Sequence, residues 1–145
     1  MSLFSKQREY YDRLRAMLDD LCPPEEPLVG AIVTTNTKFL KSELYAVGVT
    51  PQRLVLQPLD RRQEPKGDPV WVTKGEIVNC AIWGEGGGFR EWIADDSEFQ
   101  LRFQTADEHY KFGVVGGLTM SKAMGDDYLA GIDALVTFLQ SCQAG

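Results

Sequence analysis

The sequence predicts a mainly β domain flanked by two helices: about seven short antiparallel strands closed into a sandwich or small barrel by a C-terminal helix. Three observations carry this reading. The apolar residues recur at about 3.6 near the N-terminus, change to a period of about 2 after a proline-rich hinge, and return to about 3.6 at the end. Turn residues punctuate the period-2 runs at short intervals. The strands follow one another instead of alternating with helices, which excludes a parallel sheet built from strand-helix units. At 145 residues the chain has the size of one domain and can bury a core without disulfide staples.

The first element spans residues 5–21, where Tyr10, Leu14, Met17, Leu18 and Leu21 fall on one helical face and Arg8, Asp12, Arg15 and Asp19 on another. Pro23 and Pro24 lack the backbone donor a helix needs and end it near Cys22. Residues 1–26 are therefore an amphipathic helix with a proline-rich hinge, and residues 27–145 the main domain. Such a helix is marginal alone, so its apolar stripe must pack on the domain or on a second copy of it.

Strands are expected at residues 28–35, 44–50 and 53–59. Thr50-Pro51-Gln52-Arg53 makes the tight turn between the second and third, with the proline ring pre-setting the backbone. A polar loop covers residues 61–69, a short strand residues 70–73, and a nearly continuous apolar strand residues 76–83, read as covered on both faces. Gly84 to Gly88 form a glycine-rich connection, and residues 91–94 extend a strand beyond it. Phe99, Leu101 and Phe103 alternate with polar residues, as do Tyr110, Phe112 and Val114. These form a hairpin turning at residues 105–109, with one apolar and one polar face. Asp126 and Asp127 supply negative charge at the start of the last helix, whose stripe is Leu129, Ile132, Leu135, Val136 and Leu139.

The stretch from Tyr45 to Leu56, with a strand ending in Thr50 and turning into Arg53-Leu54, resembles the second and third strands of bacterial pleckstrin-homology-like (PH-like) domains. The resemblance covers roughly residues 28–142. It implies a seven-stranded bent barrel with one mouth plugged by the C-terminal helix, no catalytic residue, and a role in binding phosphoinositides, peptides or proteins.

The residues offer little chemistry. The single histidine, His109, lies in the hairpin turn with no orienting partner in sequence. Cys22, Cys80 and Cys142 lack zinc or disulfide spacing, so no metal or cofactor is expected. Asp95-Asp96 reads as turn chemistry. Gly84-x-Gly86-Gly87-Gly88 lacks the lysine of a nucleotide loop, and Gly116-Gly117 reads as a turn.

Charge says more. The net charge of -6 disfavours nucleic acid as a partner. Residues 27–74 hold seven basic and four acidic residues, whereas residues 75–145 hold four basic and eleven acidic. In lipid-binding relatives the loop between the first two strands carries the basic cluster, and Lys38 and Lys41 lie there, with Arg53 as a third candidate. Trp83, Phe89 and Trp92 surround the glycine-rich connection and are candidate anchors for a partner protein.

The function expected is a non-enzymatic interaction module for an unidentified protein, self-associating through its N-terminal helix or an open sheet edge. The alternative is peripheral binding to anionic lipid or an acidic ligand through Lys38, Lys41 and Arg53. A third reading, an enzyme or carrier with a pocket lined by Trp83, Trp92, Tyr110 and Glu91 or Asp95, is opposed by abundant apolar residues that fill a small barrel. With neither a secretory signal nor a membrane-spanning run, a bacterial cytoplasmic location is expected.

Overall fold

The computed structural model describes residues 3–38, 41–84, 98–115 and 126–144. Helix α1 spans Leu3–Leu21, and the strands are β1 Gly30–Lys38, β2 Lys41–Val49, β3 Arg53–Leu59, β4 Val70–Thr73, β5 Asn79–Gly84, β6 Glu98–Gln104 and β7 His109–Val115. Helix α2, Asp126–Ala144, closes the chain. The strands form one antiparallel sheet in the order β4-β3-β2-β1-β7-β6-β5, curled into a half-barrel. Two meanders, β1 to β4 and β5 to β7, are thus joined along a single seam between β1 and β7. The mainly β architecture with one helix at each end is as the sequence predicts.

Some boundaries move for identifiable reasons. The fifth strand starts at Asn79 and not at residue 76, because Lys74–Glu76 is a turn of 3-10 helix. The Glu76 carboxylate there accepts both the backbone N–H (3.2 Å) and the hydroxyl (2.9 Å) of Thr73. Among the described strands β5 lies at an edge of the sheet, with Asn79 exposed and Cys80 half-buried. The hairpin turn closes at Glu108, whose carbonyl accepts the Thr105 N–H at 2.9 Å. His109 is therefore the first, exposed residue of β7 and not part of the turn.

The two faces of the curled sheet are covered differently. Inside, Ile32, Val47, Leu54, Leu56, Leu101 and Phe112 pack with Ile132, Leu135 and Leu139 of α2. Alternate residues of β1 to β3, namely Ala31, Ala46, Val55 and Leu59, point outward and receive Leu14 and Leu18 of α1. Two of these outward residues are alanines, and a side chain at Gly48 would collide with Leu28 and Val55. Helix α1 therefore buries its stripe on its own domain. Tyr11, outside the expected stripe, is the helix's contact with the inner core, while Tyr10 is only partly buried. Beyond the reach of α1, the outward residues of β6 and β7 include Arg102, Gln104, His109 and Lys111, the polar face that the alternation predicts.

The seam carries an unusual burden. β1 is in register with β7 only at Thr35 and Asn36. Beside that short ladder two buried side chains substitute for backbone: the Thr34 hydroxyl donates to the Gly113 carbonyl (2.6 Å), and the Lys111 N–H donates to the Asn36 side-chain oxygen (2.7 Å). Further toward its start, β1 meets α2, where a side chain at Gly131 would run into the Ala31 carbonyl. The hydroxyls of Tyr11 and Tyr128 donate to the carbonyls of Ala31 (2.8 Å) and Val33 (2.9 Å), and their rings meet edge-on at 5.7 Å. These bonds satisfy carbonyls that no β7 residue reaches. Inside the barrel Phe103 stacks on its cross-strand partner Tyr110 at 4.8 Å and meets Phe112 at 5.5 Å.

Two outcomes are expected. Tyr11→Phe and Tyr128→Phe each leave a buried carbonyl without its donor, so chemical denaturation should show a loss of about 1–3 kcal/mol. Tyr45→Phe, whose hydroxyl meets exposed Glu43, should cost less than about 0.5 kcal/mol. Burial also raises the pKa of all five tyrosines, to about 12 for Tyr10 and Tyr45. The unfolded chain releases phenolic protons near pH 10, so above that pH it binds fewer protons than the folded chain, and stability falls as pH rises. Absorbance at 295 nm should therefore lag behind free tyrosine and rise together with loss of the near-ultraviolet circular dichroism signal.

Candidate functional site

The residues picked from sequence as an anion site do not come together. Lys38 and Lys41 are the last Cα pair of the β1–β2 ladder, and the Lys41 side chain is exposed. Arg53 begins β3, which pairs with β2 from Leu44↔Leu59 to Val49↔Leu54, and so lies at the opposite end of those strands. At about 3.3 Å per residue the separation from Lys41 along the strands is roughly 30 Å.

Arg53 is also already engaged. Its Nε donates to the Glu26 carboxylate at 2.7 Å, and its guanidinium lies over the Trp71 ring at 3.9 Å. Glu26, only 7% exposed, accepts the Thr50 hydroxyl at 3.1 Å through the same oxygen. The Thr50 hydroxyl oxygen accepts the N–H of Arg53 at 3.0 Å, and the Thr50 N–H donates to the Arg53 carbonyl at 3.0 Å. Threonine and arginine at the two ends of the Pro51-Gln52 turn therefore pin the hinge between α1 and β1 to the sheet. The local signature that carries the family resemblance has a structural meaning here.

The Lys41 end of the sheet holds a solvent-open groove of about 990 Å³, walled by the start of β2, the end of β3 and the loop of residues 60–69. The loop is ordered by its own backbone. The Asp60 carboxylate accepts the N–H groups of Arg62 (2.8 Å) and Glu64 (3.0 Å), and the Lys66 N–H donates to the Pro58 carbonyl at 2.9 Å. Gln63 adopts a φ of 65° and Gly67 a φ of 72°. Buried Gln57 reaches from β3 to the Gly67 carbonyl at 3.2 Å. Lys41, Arg61 and Lys66 line the groove on exposed side chains, together with Glu43, Asp60 and Asp68. Sequence reasoning treated residues 61–69 as a polar connection and missed Arg61 and Lys66. Asp60, a turn former at the start of the loop, was the signal in the sequence, and in the structure a bridge of Leu59 to Pro65 helps hold the loop.

A second groove, of about 420 Å³, lies at the other half of the sheet, where Cys80, Arg102, Phe103, His109 and Tyr110 meet. Tyr110, one residue of the third reading, lines this groove and also stacks on Phe103 in the aromatic interior. Among the described residues no three histidine, cysteine or acidic side chains come close enough to hold a metal ion. No described helix is long and apolar enough to cross a membrane. Trp83 lies in β5, where only its backbone is described. Phe89, Trp92, Glu91, Asp95 and the glycine-rich connection lie outside the described residues, as does Gly116-Gly117.

No family model and no curated protein sequence matches the chain. Among solved structures it is similar to the hSac2 domain from the human phosphoinositide phosphatase Sac2, with a TM-score of 0.51 and 11% identity over 92% of this chain and 79% of that one. The likeness is one of fold: a curled antiparallel sheet with flanking helices. The C-terminal domain of an unknown protein from Leishmania infantum matches with a TM-score of 0.47 and 13% identity, over 89% of this chain and 96% of that one.

The pin around Glu26 should be visible in stability. Arg53→Ala leaves a nearly buried carboxylate without its cation, and a loss of roughly 2–4 kcal/mol is expected in urea denaturation. Lys41→Ala, at the exposed end, should stay within about 0.5 kcal/mol of the parent protein.

Proposed function

We propose that the chain is a non-enzymatic interaction module with a PH-like fold, and that its binding surface is the groove between the start of β2 and the loop of residues 60–69. The observation that carries this reading is the ordering of that loop by Asp60, Gln57 and backbone hydrogen bonds. A wall of fixed shape reduces the ordering cost of binding. Its charges are of both signs, Lys41, Arg61 and Lys66 against Glu43, Asp60 and Asp68. Mixed signs at close quarters suit a protein segment with complementary charges and disfavour a polyanion, whose own charge would meet three carboxylates.

The anionic-lipid reading keeps Lys38 and Lys41, gains Arg61 and Lys66, and loses Arg53. The similar hSac2 domain comes from a phosphoinositide phosphatase, which makes lipid vesicles the proper control. Self-association through the apolar face of α1 is not part of the proposal, because that face is buried on β1 to β3 of the same chain.

The test uses the full chain and Arg61→Glu/Lys66→Glu, a pair of exposed side chains whose reversal should leave the thermal midpoint unchanged. Affinity capture with quantitative mass spectrometry should recover a protein with the parent chain that falls at least tenfold with the variant. Sedimentation with vesicles containing phosphatidylserine or phosphoinositide at low ionic strength should show no binding. Equal capture by both chains would remove the groove from the proposal. Vesicle binding that the variant loses would replace the protein partner by a lipid surface.

A further inference from the structure

Sequence spacing gives Cys80 and Cys142 no relation, but the fold brings β5 against the last turns of α2. The Cys80 thiol donates to the carbonyl of Leu139 at 3.2 Å. Leu139 stands three residues before Cys142, so the two residues share one face of α2. In a helix the carbonyl of one residue points toward the residues three and four positions on, which brings the Cys80 sulfur to the side of the helix that carries Cys142. Both thiols are half-buried and pack against the same core cluster.

We propose that Cys80 and Cys142 are a redox pair, forming a disulfide that ties the edge strand β5 to the end of α2. The surroundings give the two sulfurs different roles. Burial raises both thiol pKa values, and the neighbouring Cys142 raises that of Cys80 further. At Cys142 the effect of burial is opposed by the ammonium of Lys74, which lies 5.3 Å from the ring centre of Phe138 on the same helix, while the Ser141 hydroxyl donates to the Phe138 carbonyl at 2.6 Å. Lys74 favours the thiolate at Cys142, so the proposal makes Cys142 the attacking thiol and Cys80 the resolving one.

With a peroxide as oxidant, the Cys142 thiolate attacks one peroxide oxygen, the O–O bond breaks, and a sulfenic acid forms with release of hydroxide. The Cys80 sulfur then displaces the hydroxyl group from Cys142, forming the S–S bond. Two thiols and one hydrogen peroxide give one disulfide and two waters. Cys22 stands apart: it lies at the end of α1, donates to the Leu18 carbonyl at 3.4 Å, and has Arg53, Asp19 and Glu26 as its charged neighbours.

The experiment treats the full chain with hydrogen peroxide at pH 8, blocks remaining thiols with iodoacetamide, and maps peptides without reduction. The expected product is a Cys80–Cys142 linked peptide in a monomer two mass units lighter, with Cys22 alkylated. The link closes a loop of roughly 60 residues, so the thermal midpoint should rise on the order of 10 °C and return on reduction. Cys22→Ser should pair equally well, and Cys142→Ser should lose both the linked peptide and the thermal shift. Linkage through Cys22, dimers joined through Cys80 or Cys142, or separate oxidation of both thiols without linkage would each overturn the pair. Lys74→Gln, distant from the proposed binding groove, should slow disulfide formation severalfold at pH 8 without changing the product; an unchanged rate would remove the role given to Lys74.

Discussion

The short seam between β1 and β7 is the constraint on which the rest of the structure depends. The sheet is least continuous here, where β1 keeps only Thr35 and Asn36 in register with β7. Each backbone group left behind needs another partner or costs about as much as a lost hydrogen bond. Thr34, Asn36, Tyr11 and Tyr128 supply the partners, two from β1 itself and one from each helix. Those four bonds explain why polar side chains lie in the interior of an otherwise apolar barrel. They also explain why both helices are needed: the strand that opens is held by a hydroxyl from each.

The same seam sets the places of the helices. Helix α2 enters the opening close enough to β1 that Gly30 and Gly131 face one another with no room for a side chain on either. Helix α1 takes the outward face of β1 to β3, and its Arg8 reaches the Asp127 carboxylate of α2 at 3.3 Å. Both ions are about half exposed, so this bridge aligns the helices more than it stabilises them. Among the described residues, α2 fills one sheet face and α1 part of the other, which leaves the strand ends and the outward face of β6 and β7 uncovered. The Lys41 end carries an ordered loop with charges of both signs, and it is there that the proposed binding surface lies.

Most of the fold was legible in the sequence because period reports burial. The limits of β3 and β4 follow directly from alternation and flanking turn residues, and the stripe of α2 from its spacing. Other features were written in local chemistry and passed over: Thr73 and Glu76 stand at the spacing that ends a strand in a capped turn. Burial of Tyr11 was not legible, since it depends on where α2 lies relative to α1, and no local period encodes that. The candidate site was legible only in part. Lys41 lines the groove of the proposed binding surface, but Arg53 is a cation whose location along the sheet, and whose partner 27 residues away in sequence, decide its role.

What the sequence determined by itself was the set of elements and their inward and outward residues, because backbone preference and apolar period act over a few neighbours at a time. What only the tertiary structure decided was which polar groups meet. Glu26 finds Arg53, Tyr128 finds the carbonyl of Val33, and Cys80 finds the carbonyl of Leu139, each across a separation in sequence that no local pattern spans. Contacts of that kind are fixed by the path of the sheet and the depth to which the helices enter it. A charge or a thiol in a strand therefore acquires its partner from whichever element the fold lays against it.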